Sequence, residues 1–253
     1  MRATPFLAAA LCLVASAGPG LRPARAQSLP WTPRAFDREI LWKIVSNCLE
    51  QDHGIAEYCS KCPAPLAPLL ASCTDASGLD PVALCRKTTP VWDKTAEFVA
   101  FGDMKMCGCP DGFVHGLALP LSKVTGVEDP SRPAGIWGFA FDEAAKKIGD
   151  KAAIVLVVNS RSHRQQDQLH IHLLRLAEGA RDRFMKLQPV RVESLADVWA
   201  AAARHAAAAG SAEGGYGVAV IQDGPNGGFL VATTPDSPEW LFGAYRCSGK
   251  GGK

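Results

Sequence analysis

Gln168-Leu169-His170-Ile171-His172-Leu173-Leu174 alternates polar and apolar side chains with a period of two. A β-strand sends successive side chains to opposite faces, so Gln168, His170 and His172 share one face and Leu169, Ile171 and Leu173 bury the other. Two strand steps of ~3.3 Å put the histidine Cα atoms ~7 Å apart. Both rings can then address one group. Upstream, Ala152–Val158 is an unbroken β-type apolar run, which reads as a central strand, followed by a polar, cationic loop over 159–167. Glu97–Gly102 and Phe113–Leu119 read as two strands joined through Cys107-Gly108-Cys109-Pro110-Asp111-Gly112. Tyr216–Gln222 and Phe229–Thr233 form a hairpin across an Asp-Gly-Pro-Asn-Gly-Gly turn. Helical spacing covers 36–50, with Asp37 as a candidate cap, and 134–148, closed by Gly149. A short helix is expected over 179–187. Ser194 and Asp197 open an Ala-rich helix that stops at Gly210. Residues 59–95 read as loop. The expected fold is α+β, an antiparallel sheet dominated by hairpins with helices packed on it.

Composition narrows the function classes. Hydrophobic residues make up 47% and charged residues 21%, which excludes a disordered chain. Arg2, Arg22 and Arg25 are the only charged side chains in residues 1–26, and without them the chain is near neutral. A near-neutral protein is a poor non-specific binder of nucleic acid, so none is expected as a partner. Arg2, the apolar stretch from Phe6 to Ala17, and Ala24-Arg25-Ala26 follow the order of a secretory signal. Cleavage is expected after Ala26, leaving 27–253 as a single domain in the periplasm; an uncleaved segment attached to the inner membrane is the alternative. Outside Cys12 there are eight cysteines: Cys48, Cys59, Cys62, Cys73, Cys85, Cys107, Cys109 and Cys247. An even count in an exported chain reads as disulfides, seven of the eight stapling a segment over about 48–109. The connectivity stays open.

Three readings of His170 and His172 compete: surface decoration of an amphipathic strand, a metal site with His115 as a third ligand, and nucleophilic attack at phosphorus by one neutral imidazole while the other hydrogen-bonds a phosphate oxygen. The loop before the strand favours the third. Asn159-Ser160-Arg161-Ser162-His163-Arg164-Gln165-Gln166 supplies guanidinium forks, hydroxyls and amides, which suit phosphate oxygens. Arginines beside a dication would be unfavourable. A nucleophilic His170 needs its second nitrogen to donate to an acceptor such as a backbone carbonyl.

These residues resemble a known family. Gln168-Leu-His170-Ile-His172-Leu-Leu174 is similar to the histidine-triad motif, with Gln168 in the first histidine position. Asn159-Ser160-Arg161, Arg164, Gln166 and His170-Ile-His172 resemble its CDP-diacylglycerol pyrophosphatase branch. So do Leu41–Val45 with Cys48, the Leu119-Pro120, Lys123, Gly126, Glu128, Pro130 series, Gly215-Tyr216-Gly217 and Cys247. The cysteines at 59–85 and 107–109 are additional. The resemblance implies a HIT-like α+β fold and hydrolysis of CDP-diacylglycerol to CMP and phosphatidate. The nucleophile would be His170, through a nucleotidyl-histidine intermediate. His172 would contact the attacked phosphate, with Asn159, Ser160, Arg161, Arg164, Gln168 and Lys123 as substrate contacts. No metal or other cofactor is required, although a divalent cation can screen the diphosphate. A lipid substrate implies a membrane surface as partner, with Ile136, Trp137, Phe139, Phe141, Trp240, Leu241 and Phe242 as apolar candidates. The alternatives are a nucleotidyl transferase using the same site, and a non-catalytic metal- or ligand-binding protein.

Overall fold

The computed structural model describes residues 38–46, 91–106, 109–110, 112–211, 215–224 and 227–247. The expected signal over 1–26, His53, and Cys48, Cys59, Cys62, Cys73, Cys85 and Cys107 lie outside them. Eight strands pair in one antiparallel sheet: β1 (Val91–Lys94), β2 (Phe98–Gly102), β3 (His115–Pro120), β4 (Ile154–Val158), β5 (Ile171–Arg175), β6 (Val190–Val192), β7 (Gly217–Gln222) and β8 (Phe229–Thr234). Their order is β1-β2-β3-β5-β4-β7-β8-β6. The described helices are α1 (Ile40–Ile44), α2 (Ile136–Ile148), α3 (Ala180–Met185), α4 (Val198–Ala208) and α5 (Pro238–Phe242). The α+β antiparallel reading is borne out.

The unbroken apolar run of β4 has a direct cause. Its alternate residues feed two separate cores. Ile154, Leu156 and Val158 join Leu169, Ile171 and Leu173 under Trp137, Ala140 and Ala144 of α2 and Val198, Ala201 and Ala202 of α4. Val155 and Val157 turn to the opposite face with Leu174, Ala219, Ile221 and Phe242. A strand covered on both sides has no polar alternation to keep. Ser194 Oγ accepts the Ala196 N–H, and a 3-10 turn over Leu195–Asp197 then leads into α4. Gly210, at φ +70°, ends that helical run in the left-handed region open to glycine.

Some boundaries differ from the expectation. Val91–Lys94, read as loop, is edge strand β1, in register with β2 through Val91↔Phe101. Lys94 and Asp93 masked its pattern, and its exposed and half-buried positions carry no alternation to read. The strand β5 starts at Ile171, three residues later than expected. Gln168 makes only an isolated bridge to Thr125, because its side chain is held elsewhere. Cys109 pairs with Cys247, a link across 138 positions that ties the turn after β2 to the segment after α5.

Candidate active site

Strand parity builds the site. On β4, Val155 and Val157 face the α5 side of the sheet, and Asn159 is the next residue of that parity. Val157 pairs with His172 on β5. Leu117, opposite His172 on β3, shares the parity of His115. Asn159, His172 and His115 therefore gather on the face covered by α5, which contributes Glu239. A cavity of about 290 Å³ opens there, lined by Asn159, His170, His172, Glu239, Lys105 and Arg246 at its polar end. Leu41, Ile44, Phe101, Leu117 and Trp240 also line it.

His170 and His172 share this cavity, with ring centroids 4.9 Å apart. His170 Nδ1 donates to the Gln168 carbonyl at 2.7 Å, so Nε2 carries the lone pair. Burial pushes the His170 pKa down against the raising effect of that bond, which keeps the ring neutral. His172 Nδ1 lies 3.1 Å from His115 Nε2. His115 Nδ1 donates to the Tyr245 carbonyl at 3.1 Å, so its Nε2 accepts the His172 Nδ1–H. Burial lowers the pKa of both rings, and for His172 the neighbouring His170, Lys105 and His115 further disfavour the charged form. Asn159 Nδ2 reaches His172 Nε2 at 3.5 Å and donates to Glu239 Oε2 at 2.9 Å. Its Oδ1 accepts from Ser237 Oγ at 2.8 Å. Burial pushes the Glu239 carboxyl up, but the Lys105 ammonium, His115 and the Asn159 amide outweigh it, and the net shift is downward. Glu239 is thus a buried anion, paired to Lys105.

The structure disperses the other expected substrate contacts. Arg164 is buried in a two-pronged ion pair with Glu128, at 2.7 and 2.6 Å, and contacts Asp167 at 3.3 Å. It does not line the cavity, since two carboxylates already claim its fork. Gln168 Nε2 donates to the Pro120 and Ser122 carbonyls and its Oε1 accepts the Val124 N–H. Its side chain thus fastens the turn after β3, and its own backbone carbonyl is what orients His170. Lys123 pairs with Glu39 at 2.8 Å, 5.9 Å from the Trp42 ring centroid. Ser160 Oγ contacts Ser162 and His163, and Arg161 is exposed away from the cavity lining. Among the described residues, the cations that do line the cavity are Lys105 and Arg246. Neither was singled out by the sequence, nor were Asp103 and Glu239. Ser237-Pro238-Glu239 is a helix-start pattern that marks α5, and with it the position of Glu239. Asp103, His115 and His172 have ligand atoms within 4.8 Å of one another, a set able to hold a cation.

Of the apolar lipid-contact candidates, Ile136, Trp137, Phe141 and Phe242 are core residues. Trp240 stands apart at 64% exposed, on the cavity wall and stacked near Tyr245. Among the described residues no helix is long and apolar enough to cross a membrane. The comparisons with known proteins agree with the motif. Residues 93–204, from the second half of β1 through most of α4, match the family model described as CDP-diacylglycerol pyrophosphatase. No curated protein matches the chain.

Proposed function

Taking as premise that residues 93–204 carry the CDP-diacylglycerol pyrophosphatase pattern, we propose that this protein hydrolyses CDP-diacylglycerol to CMP and phosphatidate through a nucleotidyl-histidine intermediate on His170. The family match supports the hydrolysis of CDP-diacylglycerol as such. The observation that carries the finer reading is the Nδ1–H bond from His170 to the Gln168 carbonyl. It fixes the tautomer and leaves a neutral Nε2 lone pair on the wall of a cavity that also holds His172, Lys105 and Arg246.

The chemistry follows from these groups. His170 Nε2 attacks the phosphorus that bears cytidine, and a P–N bond forms as the P–O bond to phosphatidate breaks. A phosphate-monoester leaving group is a weak base and needs little acid help. The demand on the protein is alignment and charge stabilisation. The arriving diphosphate is an anion beside His172, which favours a protonated ring. His172 then donates from Nε2 to the phosphate while Nδ1–H stays on His115. Lys105 and Arg246 supply positive charge, and Asn159, held by Ser237 and Glu239, keeps an amide beside the same nitrogen. Water then cleaves the P–N bond and releases CMP. No metal is required by this scheme.

The apolar wall formed by Leu41, Ile44, Phe101 and Leu117 suits the glycerolipid, and exposed Trp240 suits contact with a membrane surface. The apolar core and small-x-small end of residues 1–26 support export to the periplasm, as a single domain from residue 27 onward. Hydrolysis of CDP-diacylglycerol in mixed micelles tests the reading. His170→Gln keeps the fold and loses CMP release, and retention of more than a few per cent of turnover rejects His170 as nucleophile.

A further inference from the structure

In the hydrolytic scheme Nε2 of His172 meets the phosphate, while its Nδ1 stays against His115. That Nδ1 belongs to a second constellation. His115 Nε2 stands 3.1 Å from His172 Nδ1, 3.6 Å from Asp103 Oδ2 and 3.6 Å from Glu239 Oε1. The two carboxylate separations are too long for hydrogen bonds. The His115–His172 and His115–Asp103 separations bracket the ~3.3–3.4 Å between ligands that stand ~2.0–2.1 Å from a tetrahedral metal, and the ligand atoms of Asp103, His115 and His172 all lie within 4.8 Å of one another. The groups behind these atoms are oriented as metal ligands are. His115 Nδ1 donates to the Tyr245 carbonyl, which turns Nε2 inward. Asp103 Oδ1 accepts the Lys105 backbone N–H at 2.8 Å, which leaves Oδ2 for the cluster.

Charge does not bar a cation from this place. Arg164 is spent on Glu128 and Asp167, and Arg161 is exposed and does not line the cavity. Lys105, whose side chain is 37% exposed, is bonded to Glu239, and Arg246 stands 5.4 Å from the Tyr245 ring centroid.

We propose that Asp103 Oδ2, His115 Nε2 and His172 Nδ1 bind a zinc-class divalent cation, with water completing its shell. Two imidazoles with a carboxylate are a zinc-type donor set. The site stands independently of the hydrolysis reading. Proton balance is simple: the proton on His172 Nδ1 moves to Nε2 of the same ring, and His115 keeps its own. An occupied site therefore fixes His172 in the tautomer that donates into the cavity.

Isothermal titration of the full chain, cysteines oxidised, with zinc alone is the test. The expected result is saturable binding of one ion per chain. Asp103→Asn and His115→Gln each weaken it at least ~10-fold, in line with the losses seen even for residues behind a ligand shell, and His170→Gln leaves it unchanged. Circular dichroism melts identify a variant that fails to fold, and Asp103→Asn, at the partly exposed turn after β2, keeps the test open if His115→Gln unfolds. Absence of saturable binding overturns the site. So does zinc held equally by wild type, Asp103→Asn and His115→Gln, which would assign the ion to other groups such as the cysteines.

Discussion

Replacing Arg164 by Ala separates a structural role from a substrate contact. The guanidinium is 3% exposed and makes both prongs of a fork to Glu128, at 2.7 and 2.6 Å, with a further contact to Asp167. Removing one partner of a buried pair costs about 3–5 kcal/mol, because the other charge is left buried without compensation. Here the stranded carboxylates are 24% and 26% exposed, and Asp167 keeps its bonds to Arg38 at 2.9 and 2.6 Å. Water and Arg38 offset part of the loss, so the lower end, about 3 kcal/mol, is expected. At roughly 2–4 °C per kcal/mol for a chain of this size, the melting temperature falls by about 6–12 °C. Gly126 makes the geometry unforgiving. Its φ is +61°, and an added Cβ would meet Arg164 Nη1 at 2.2 Å, so the fork occupies the space above a glycine turn. Urea midpoints measure the loss, and KM for the folded enzyme should stay within about twofold of wild type. A variant within about 0.5 kcal/mol of wild type with KM raised about tenfold would refute the reasoning and return Arg164 to the substrate, since an ordinary surface charge costs no more than that.

Two further outcomes follow from the buried polar cluster. His172→Ala lowers kcat on the order of 10²–10³, as for loss of one transition-state donor; an unchanged kcat removes this ring from the chemistry. His115, His170 and His172 all lie below their ordinary 6.5 because burial penalises the charged ring. The folded state then binds fewer protons than the unfolded one below about pH 6.5, so stability is complete above that value and declines as pH falls beneath it. Asp167, held down first by Arg38, and Asp129, held down first by Ser131, add a second loss below their ordinary 3.8. The urea midpoint measured in chelator should be lower at pH 5.5 than at pH 7.5, and an equal or higher midpoint at pH 5.5 contradicts the buried neutral histidines.

Much of the sheet was legible because its strands obey two simple patterns. The run Ile154–Val158 announces burial on both faces, and Gly217–Gln222 with Phe229–Thr234 brackets a glycine-rich turn. The edge strands were hidden for the same physical reason. Val91–Lys94 and Val190–Val192 are short and only partly covered, so no burial pattern is imposed on them. Period-two alternation found the histidine pair but misplaced the start of the strand. The Gln168 amide satisfies the carbonyls of Pro120 and Ser122 instead of facing the cavity, and His170 bonds back to the Gln168 backbone carbonyl. The local cation-rich loop suggested arginines as phosphate contacts, yet ion pairing with Glu128, 36 positions earlier, claims Arg164. Glu239, Lys105 and Asp103 reach the histidines only through long-range packing of α5 and the turn after β2, which no local pattern encodes. His115 is the intermediate case. Its strand was read correctly, and its partner on β5 follows once β3 and β5 are known to pair.

The central claim is that His170 Nε2 becomes covalently bonded to the cytidine-bearing phosphorus. Rapid acid-free denaturation of enzyme turning over CDP-diacylglycerol labelled in the cytidine, followed by peptide mapping, tests it most directly. Label attached as CMP to the peptide containing His170, and absent from His170→Gln, is the predicted result. Label missing from the protein at full turnover, or a phosphatidyl group found in its place, contradicts it.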